Sequence, residues 1–210
     1  MQGKENYAPL SRRFYQGDTH DVARRLLGKV LIRRWNDVLL AGRITEVESY
    51  VSEDDNACHA ARGRTPRTEI MFGPPGHAYV YLIYGMYHCL NVVTGKKGYA
   101  AAVLIRALEP LVGLETMQQF RPKARPHEIA NGPGKLARAL QIDRDLNTED
   151  LTLGASLWIS DDGYQVTSDQ IATSPRIGVE YAGEHALLPW RYYLRESRFV
   201  SKTPRPKQGK

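Results

Sequence analysis

The chain has 210 residues, of which 42% are hydrophobic and 25% charged, and this composition excludes a globally disordered protein. Its length fits one domain with a substantial buried core. A formal net charge of +6 and an isoelectric point of about 9.3 favour a polyanionic partner, with nucleic acid as the leading class.

Cysteine usage and the amino terminus point to a reducing compartment. Cys58 and Cys89 are the only cysteines, and the first six residues contain no apolar stretch of a signal peptide. No apolar run approaches the roughly 18 residues of a membrane span. We therefore expect an intracellular protein with reduced thiols and no membrane association. The pairs at 58–59 and 88–89 lack the spacing of zinc ligands, so we expect no metal and no cofactor.

The first predicted elements are a short helix and a pair of strands. Apolar residues at helical spacing between Asp18 and Leu27, followed by Gly28, predict the helix. Residues 30–34 and 38–50 alternate in polarity about a turn at 35–37 and predict an antiparallel strand pair.

The second of these strands carries two carboxylates. Strict alternation puts Val47 on one side and four residues on the other, namely Ile44, Glu46, Glu48 and Tyr50. A strand carboxylate is most often exposed to solvent, and this is our expectation for Glu46. Residues 51–76, which follow, form a polar, basic and turn-rich connection, and long connections inside compact domains are usually functional.

The stretch 78–91 is unusually aromatic and predicts a β-hairpin. Tyr84-Gly85 fits a two-residue turn between two extended runs, which places Tyr84 and Met86 at an exposed tip. Tyr79 and Tyr81 share one face of the first run, and Tyr87, Cys89 and Asn91 share one face of the second. The tyrosines form either the packed inner face of the hairpin or, at the tip, a wedge for insertion between stacked bases.

The second half of the chain predicts a long strand, two helices and several short strands. The apolar strand 99–108 is interrupted by Arg106, a charge that lies either at a solvent-exposed edge or in a site. A helix is expected at 111–120, before a basic loop at 121–126. The glycine-rich segment 131–135 predicts a turn into a second helix that could hold a phosphate, without the spacing of a Walker loop. Short strands are predicted at 151–159, 165–171, 176–181 and 190–194.

Seven separated motifs resemble, in matching order, the alkyladenine (3-methyladenine) DNA glycosylase family. They are Thr45 to Tyr50, Ala57 to His59, Arg64 to Arg67, Met71-Phe72, Tyr79 to Tyr87, Asn91, and Arg106 to Pro110. The resemblance covers about residues 10 to 195 and includes 131–135 and 176–179. It implies a mixed α+β catalytic domain at 1–196, with a curved, mainly antiparallel sheet, flanking helices and a protruding DNA-intercalating hairpin. A basic, flexible tail is expected at 197–210.

The implied activity is excision of damaged purines from DNA. Enzymes that act on a base flip it out of the duplex, and this family hydrolyses the bond from the base to deoxyribose. Glu48 matches the carboxylate that activates water, Arg106 a residue near the sugar, and the Ile177 carbonyl a further water contact. The expected substrates include 3-methyladenine, hypoxanthine and ethenoadenine.

The resemblance also implies how the DNA is held. The residues that match the family's base pocket are Tyr50, His59, Tyr81 and Asn91, of which Asn91 would crowd the exocyclic amine of guanine. Tyr84 matches the residue that fills the vacated stack, with Met86 beside it. Candidate phosphate contacts are Arg64, Arg67 and Lys135, each of which could equally be a solvated surface charge.

No lysine occupies the matched pocket motifs, so we expect water as the nucleophile, an abasic site as the product and no lyase activity. The expected partner is double-stranded DNA with damaged purines, bound by a monomer in the bacterial cytoplasm or nucleoid or in the eukaryotic nucleus. One alternative is a non-catalytic binder of damaged or distorted DNA, which Glu48 and Arg106 disfavour. Another is a hydrolase or formyl-group transferase acting on a small nucleotide or RNA, which Tyr84 disfavours.

Overall fold

The computed structural model describes residues 7–201 as a mixed α/β domain built on one antiparallel sheet, as predicted. The strands are β1 (Val30–Trp35), β2 (Val38–Val51), β3 (Ala78–Ile83), β4 (Tyr87–Val93), β5 (Ala101–Val112), β6 (Leu157–Ser160), β7 (Ile171–Ser174) and β8 (Arg191–Leu194). The helices are α1 (Arg12–Tyr15), α2 (Thr19–Leu26), α3 (Leu114–Phe120) and α4 (Pro133–Ala139), with short 3₁₀ helices in the connections.

The long strand β2 organises the sheet. The order of the main path is β3-β4-β5-β2-β1-β6, and β8 joins β2 while also pairing with β7. One edge of β2 pairs with β5 along most of its length. Its other edge pairs first with β1 and then, at residues 46–48, with β8. The carboxylates of β2 therefore lie at the centre of the sheet, between β5 and β8.

A bulge in β2 corrects the predicted alternation. Ile44 is opposite Leu108 and Glu46 is opposite Ala107, so Thr45 is an extra residue on β2. As a result, Ile44 and Val47 both point into the main core, although strict alternation placed them on opposite sides. The prediction that Glu46 is exposed to solvent is also wrong, because the residue is fully buried.

The main core lies on one face of the sheet, under the helices. Asp18 caps α2 by accepting the backbone N–H groups of His20 and Asp21, and Val22 and Leu26 pack into this core with residues of β3, β4 and β5. The opposite face is covered by the connection 52–77, whose apolar side chains pack around Tyr79. Alternate residues of β3, β4 and β5 therefore point into the main core on one face of the sheet and toward a cavity on the other.

The hairpin of β3 and β4 has the predicted turn with one additional residue. Tyr84 and Gly85 have positive φ values of 53° and 68°, and Met86 N–H donates to the Ile83 carbonyl at 3.2 Å. Because Ile83 pairs with Tyr87, Met86 is the additional residue between the strands. Tyr84 and Met86 are 78% and 67% exposed, so the prediction of an exposed tip is confirmed.

Several elements predicted in the second half have different bounds in the structure. Gly113, with φ +78°, separates β5 from α3, so residues 111–112 extend the strand and the helix begins at Leu114. The strand predicted at 151–159 is confined to β6, after a turn at Gly154 with φ +66°. Residues 165–167 have no regular secondary structure and 168–170 form a 3₁₀ helix, while 176–181 form no strand, because Gly178 turns the chain with φ +78°.

The carboxyl-terminal residues Ser197 to Ser201 belong to the folded domain. Phe199 is nearly buried, and the backbone N–H of Ser201 donates to Glu46 at 2.6 Å. This part of the predicted tail is therefore fixed against β2. The remaining part, residues 202–210, lies outside the described residues, and the predicted domain boundary stays a prediction.

Candidate active site

A cavity of about 1240 Å³ opens between the hairpin, β5 and the loop after β7. It lies on the face of the sheet opposite the main core. The predicted site residues that line it are Tyr50, His59, Tyr81, Tyr84, Asn91, Arg106, Lys135 and Ile177. These residues come from separate parts of the chain, and the fold brings them to one place.

Glu48 lies behind the wall of this cavity. Its side chain has no exposed surface, and its carboxylate accepts hydrogen bonds from three of the lining residues. Tyr50 Oη donates to Oε2 at 2.9 Å, and Arg106 Nη1 donates to the same oxygen at 3.0 Å. The backbone N–H of Ile177 donates to Oε1 at 2.8 Å. The Ile177 amide thus holds Glu48 in place, and the predicted contact of the Ile177 carbonyl with water stays a prediction.

The two oxygens of Glu48 differ in what they can still accept. A carboxylate oxygen has two lone-pair sites, and Oε2 already receives two hydrogen bonds. Oε1 receives one from the described residues, which leaves a lone pair for a proton or a water molecule. The arrangement therefore directs any base chemistry of Glu48 to Oε1, beside Ile177.

Arg106 joins Glu48 to the second carboxylate of β2. Its Nε donates to Glu46 Oε1 at 2.9 Å while its Nη1 contacts Glu48. Burial by itself lowers the pKa of Arg106, but Glu48 and Glu46 outweigh burial and raise it well above the ordinary value. Arg106 is therefore a permanent cation at the cavity wall, and its placement in a site rather than at an exposed edge resolves the alternatives left by the sequence.

Aromatic rings form one wall of the cavity. The ring centroids of His59 and Tyr81 are 4.6 Å apart and those of Tyr79 and Tyr81 are 5.2 Å apart. Tyr50 completes this aromatic wall, and its face stacks on the guanidinium of Arg176 at 4.8 Å. Burial, followed by the charge of Glu48, raises the pKa of Tyr50 well above 10, so its hydroxyl remains a donor to Glu48. Such a wall presents π faces to a planar ligand.

His59 is held in one orientation and kept neutral. Its Nδ1 is 2.8 Å from Tyr79 Oη, and Arg67 Nη2 lies 3.4 Å from its Nε2. Because a guanidinium can only donate, Nε2 acts as the acceptor and Nδ1 carries the proton. Burial, then Arg67 and Arg62, lowers the pKa of His59 to about 4. At neutral pH this residue therefore acts as a hydrogen-bonding ring and not as a cation.

Asn91 and Cys89 line the strand β4 side of the cavity. The Asn91 amide nitrogen donates to the backbone carbonyl of Tyr79 at 3.1 Å, which fixes the side chain across the hairpin. Burial raises the pKa of Cys89 to about 11, so its thiol is protonated at neutral pH. Tyr79 lies opposite Asn91, and Tyr81 lies opposite Cys89. The tyrosines of β3 and the residues Cys89 and Asn91 of β4 therefore share one face of the hairpin.

The three candidate phosphate contacts already have partners within the protein. Arg64 is paired with Glu69 at 3.5 Å, and both side chains are largely exposed. Arg67 stacks on the ring of Tyr81 at 5.0 Å, and Lys135 donates to Asn131 at 2.8 Å. Lys135 lines the side of the cavity formed by α3, α4 and the loop between them, together with Arg121, Lys123 and Arg138. This side of the cavity is therefore basic.

Sequence reasoning missed two groups of buried residues behind the cavity. Glu46 is contacted by Arg191 and Ser201 as well as by Arg106. Asp55 and Arg176 form a second buried ion pair, with both Arg176 Nη atoms bonded to the Asp55 carboxylate at 2.6 and 2.8 Å. The partners are far apart in the sequence, and no local pattern signals such pairs.

Across residues 7–201, no three His, Cys, Asp or Glu side chains are grouped to hold a metal ion. Within the described part of the chain, no helix is long and apolar enough to cross a membrane. Cys58 and Cys89 are both buried and unbridged.

Comparison with known proteins identifies related sequences along nearly the whole chain. The family model of methylpurine-DNA glycosylase (MPG) matches residues 13–198. A protein of Methanocella arvoryzae named "Putative 3-methyladenine DNA glycosylase" is 56% identical over 92% of this chain and 96% of its own length. Proteins of the same name from Alkaliphilus oremlandii and Carboxydothermus hydrogenoformans are 46% and 49% identical, each over 92% of this chain and 98% of their own length.

Proposed function

The chain belongs to the methylpurine-DNA glycosylase family, a family of DNA repair enzymes, and from this premise we propose that it excises damaged purines by hydrolysis. In this proposal Glu48 activates a water molecule that attacks the sugar carbon bearing the base. The single observation that carries the proposal is the carboxylate of Glu48 at the cavity wall, with Oε2 fully bonded and Oε1 able to accept from water.

The buried position of Glu48 decides what kind of water it could use. Since its carboxylate has no exposed surface, the nucleophile would be a single water molecule admitted to Oε1 by a small shift of the cavity wall, and not bulk solvent. Glu48 Oε1 would take a proton from this water as the oxygen attacks. The carboxylate charge would also stabilise the positive charge that develops on the sugar as the base departs. Loss of the base would leave an abasic site.

The aromatic wall supports the proposed substrate class. A flipped purine can stack against Tyr81 and His59, and stacking of one base on an aromatic side chain contributes about 1 to 3 kcal/mol. An alkylated purine such as 3-methyladenine is cationic, and the faces of these rings favour cations. A cationic base also leaves without protonation, so one carboxylate can suffice, in contrast to ordinary glycoside hydrolysis with two.

Neutral lesions such as hypoxanthine and ethenoadenine are included in the proposal. Asn91, fixed by its bond to the Tyr79 carbonyl, would exclude guanine by crowding its exocyclic amine. Neutral His59, whose ring nitrogens are bonded to Tyr79 and Arg67, would stack against the base without repelling a cationic one. Both residues line the cavity where a purine would meet them.

Strand cleavage is not part of the proposed reaction. An imine-forming lyase needs an amine close to the sugar carbon. The described lysines of the cavity, Lys123 and Lys135, lie in the loop before α4 and in α4, away from β2 and Glu48 in the sheet, and Lys135 is bonded to Asn131. Water therefore remains the proposed nucleophile, and double-stranded DNA bound by a monomer in an intracellular compartment remains the proposed setting.

Release of free base from a synthetic duplex tests the proposal. Duplexes with one hypoxanthine, one ethenoadenine or one 3-methyladenine would be incubated with the wild type and with Glu48→Gln, a variant of nearly the same shape. We expect free base from the wild type and an excision rate at least about 100-fold lower from the variant, with affinity for the lesion duplex retained. Strand breaks should appear only after heating in alkali.

A non-catalytic binder of damaged DNA is the second candidate. The exposed tip residues Tyr84 and Met86 favour it as much as they favour the enzyme, because both would insert into a duplex. Tight binding without release from any of the three duplexes would support the binder. Equal loss of binding and release in Glu48→Gln would remove the assigned role of Glu48 as the base.

A further inference from the structure

The carboxylate of Glu46 is enclosed by donors on every side. Its Oε1 accepts from Arg106 Nε at 2.9 Å, from Arg191 Nε at 2.6 Å and from Ser201 Oγ at 2.7 Å, so two of these three donors share one lone pair. Its Oε2 accepts from the backbone N–H of Ser201 at 2.6 Å. Glu46 and Arg191 have no exposed surface, so these two residues do not touch the cavity themselves, whereas Arg106 lines it. We call Glu46, Glu48, Arg106, Arg191 and Ser201 the buried network.

Within the buried network, Glu46 determines how Arg106 faces Glu48. With Nε committed to Glu46, the guanidinium reaches Glu48 through Nη1 and contacts Oε2. An arginine without such a second partner prefers to bind a carboxylate through both oxygens. That arrangement would engage Oε1, the oxygen of Glu48 that retains a lone pair.

We propose that Glu46 is a positioning residue for base excision, which holds Arg106 on Oε2 of Glu48 and so keeps Oε1 available to the nucleophilic water. Ser201 completes the arrangement, because its N–H and hydroxyl fix the Glu46 carboxylate from the side opposite β5. The inference rests on the proposed function of Glu48. It extends the working parts of the site to a carboxyl-terminal segment that lies far from the cavity motifs in the sequence.

The charge state of Glu46 agrees with this role. Burial by itself raises the pKa of Glu46, but Arg106, Arg191 and the bonds from Ser201 outweigh burial and lower it. The network therefore contains two carboxylates and two guanidiniums, since Arg106 and Arg191 are both buried cations. Removal of one charge alone would leave an unpaired buried ion, which is a stronger disturbance than loss of positioning.

The test consequently uses variants that preserve the charge balance. Glu46→Met combined with Arg191→Met removes one charge of each sign and leaves no side-chain acceptor for Arg106 Nε at position 46. Glu46→Asp retains the charge but shortens the side chain by one methylene, so the carboxylate no longer reaches Arg106 and Ser201 together. The control is Arg12→Met combined with Asp150→Asn, which removes an ion pair that contacts neither Glu48 nor Arg106.

Two quantities separate positioning from general stability. One is the single-turnover rate of hypoxanthine release, and the other is the dissociation constant for the same duplex with enzyme in the folded state, verified by circular dichroism. We expect both Glu46 variants to lose about 100-fold in rate, as for a catalytic group displaced by about 1 Å, with duplex affinity within about twofold of the wild type. The control should retain its rate.

Each other outcome overturns the inference. An unchanged rate in either folded Glu46 variant would show that Arg106 is placed without Glu46, and an equal loss of rate and affinity would show a merely structural role. If the double variant fails to fold, Glu46→Asp decides. A wild type that releases no base overturns the proposed function together with the inference, whereas release by the wild type with unchanged variants overturns the inference alone.

Discussion

The buried network and the hairpin tip meet at the same cavity but are built in opposite ways. In the buried network, the carboxylates of Glu46 and Glu48 receive seven hydrogen bonds from residues of β2, β5, β8 and two loops. At the tip, Tyr84 and Met86 are 78% and 67% exposed. Chemistry at a fixed atom requires the first arrangement, and contact with a separate molecule requires the second.

The walls of the cavity are also held by a buried ion pair. Asp55 and Arg176 connect the loop that carries His59 with the loop that carries Ile177, because Asp55 also accepts the N–H of Ala57. Arg176 in turn donates to the backbone carbonyl of Ser49, next to Glu48. Fixed ion pairs thus surround the reacting atoms, whereas the tip is anchored only by its turn.

The largest effect is expected from Asp55→Asn, which tests whether the cavity walls depend on this ion pair. Loss of the carboxylate charge leaves the buried Arg176 guanidinium unpaired, and such losses cost about 3 to 5 kcal/mol. Urea unfolding would measure the change in the free energy of unfolding. The control is Asp161→Asn, which breaks a partly exposed pair with Lys29 and should cost less than about 1 kcal/mol. Equal costs would show that the Asp55 pair is no more important than a surface pair.

A smaller effect is expected from the titration of His59, which tests how rigidly the aromatic wall holds it. The pKa of His59 is about 4 in the folded protein, against 6.5 as its ordinary value. The unfolded chain therefore binds the proton first, and the stability that neutral His59 contributes is complete above pH 6.5 and is lost as the pH falls toward 4.

The variant His59→Gln removes this titration and leaves the other acid-sensitive groups in place. We expect the wild type to lose roughly 2 kcal/mol more than the variant in its free energy of unfolding between pH 7.5 and pH 4.5. Urea unfolding at several pH values would give this difference. Parallel stability curves for the two proteins would mean that His59 takes up a proton in the folded state as readily as in the unfolded chain.

The hairpin tip and the buried network also differ in how far they can be predicted from the sequence. The tip follows from local rules, since alternation of side chains and a Tyr84-Gly85 turn suffice to place Tyr84 in solvent. The strand pairs β1–β2 and β3–β4 likewise follow from alternation and turns, and the mainly antiparallel sheet from the family resemblance. The additional residue Met86 does not follow, because a bulge beside a turn leaves no distinct pattern.

The buried network depends on contacts that no local pattern contains. Ser201 meets Glu46 across 155 positions of the chain, and Arg176 meets Asp55 across 121. The bulge at Thr45 moves Ile44 into the core without changing the apparent alternation. A buried carboxylate and an exposed one look alike in sequence, which is why Glu46 was predicted to face solvent.

The smallest effect is expected at the tip, from Tyr84→Ala. Tyr84 is exposed and its turn is stabilised by the backbone, so its removal should leave the free energy of unfolding nearly unchanged. If Tyr84 fills the space left by a flipped nucleotide, its loss removes one stacking interaction, worth about 1 to 3 kcal/mol, only where there is a stack to fill. We therefore expect excision of hypoxanthine to slow about 10-fold on duplex DNA and less than about twofold on a single strand.

Tyr99→Ala, which removes another exposed tyrosine, should change neither rate. Equal losses on the two substrates would show that Tyr84 contacts the lesion strand directly, and the tip would then belong with the aromatic wall as part of the base pocket.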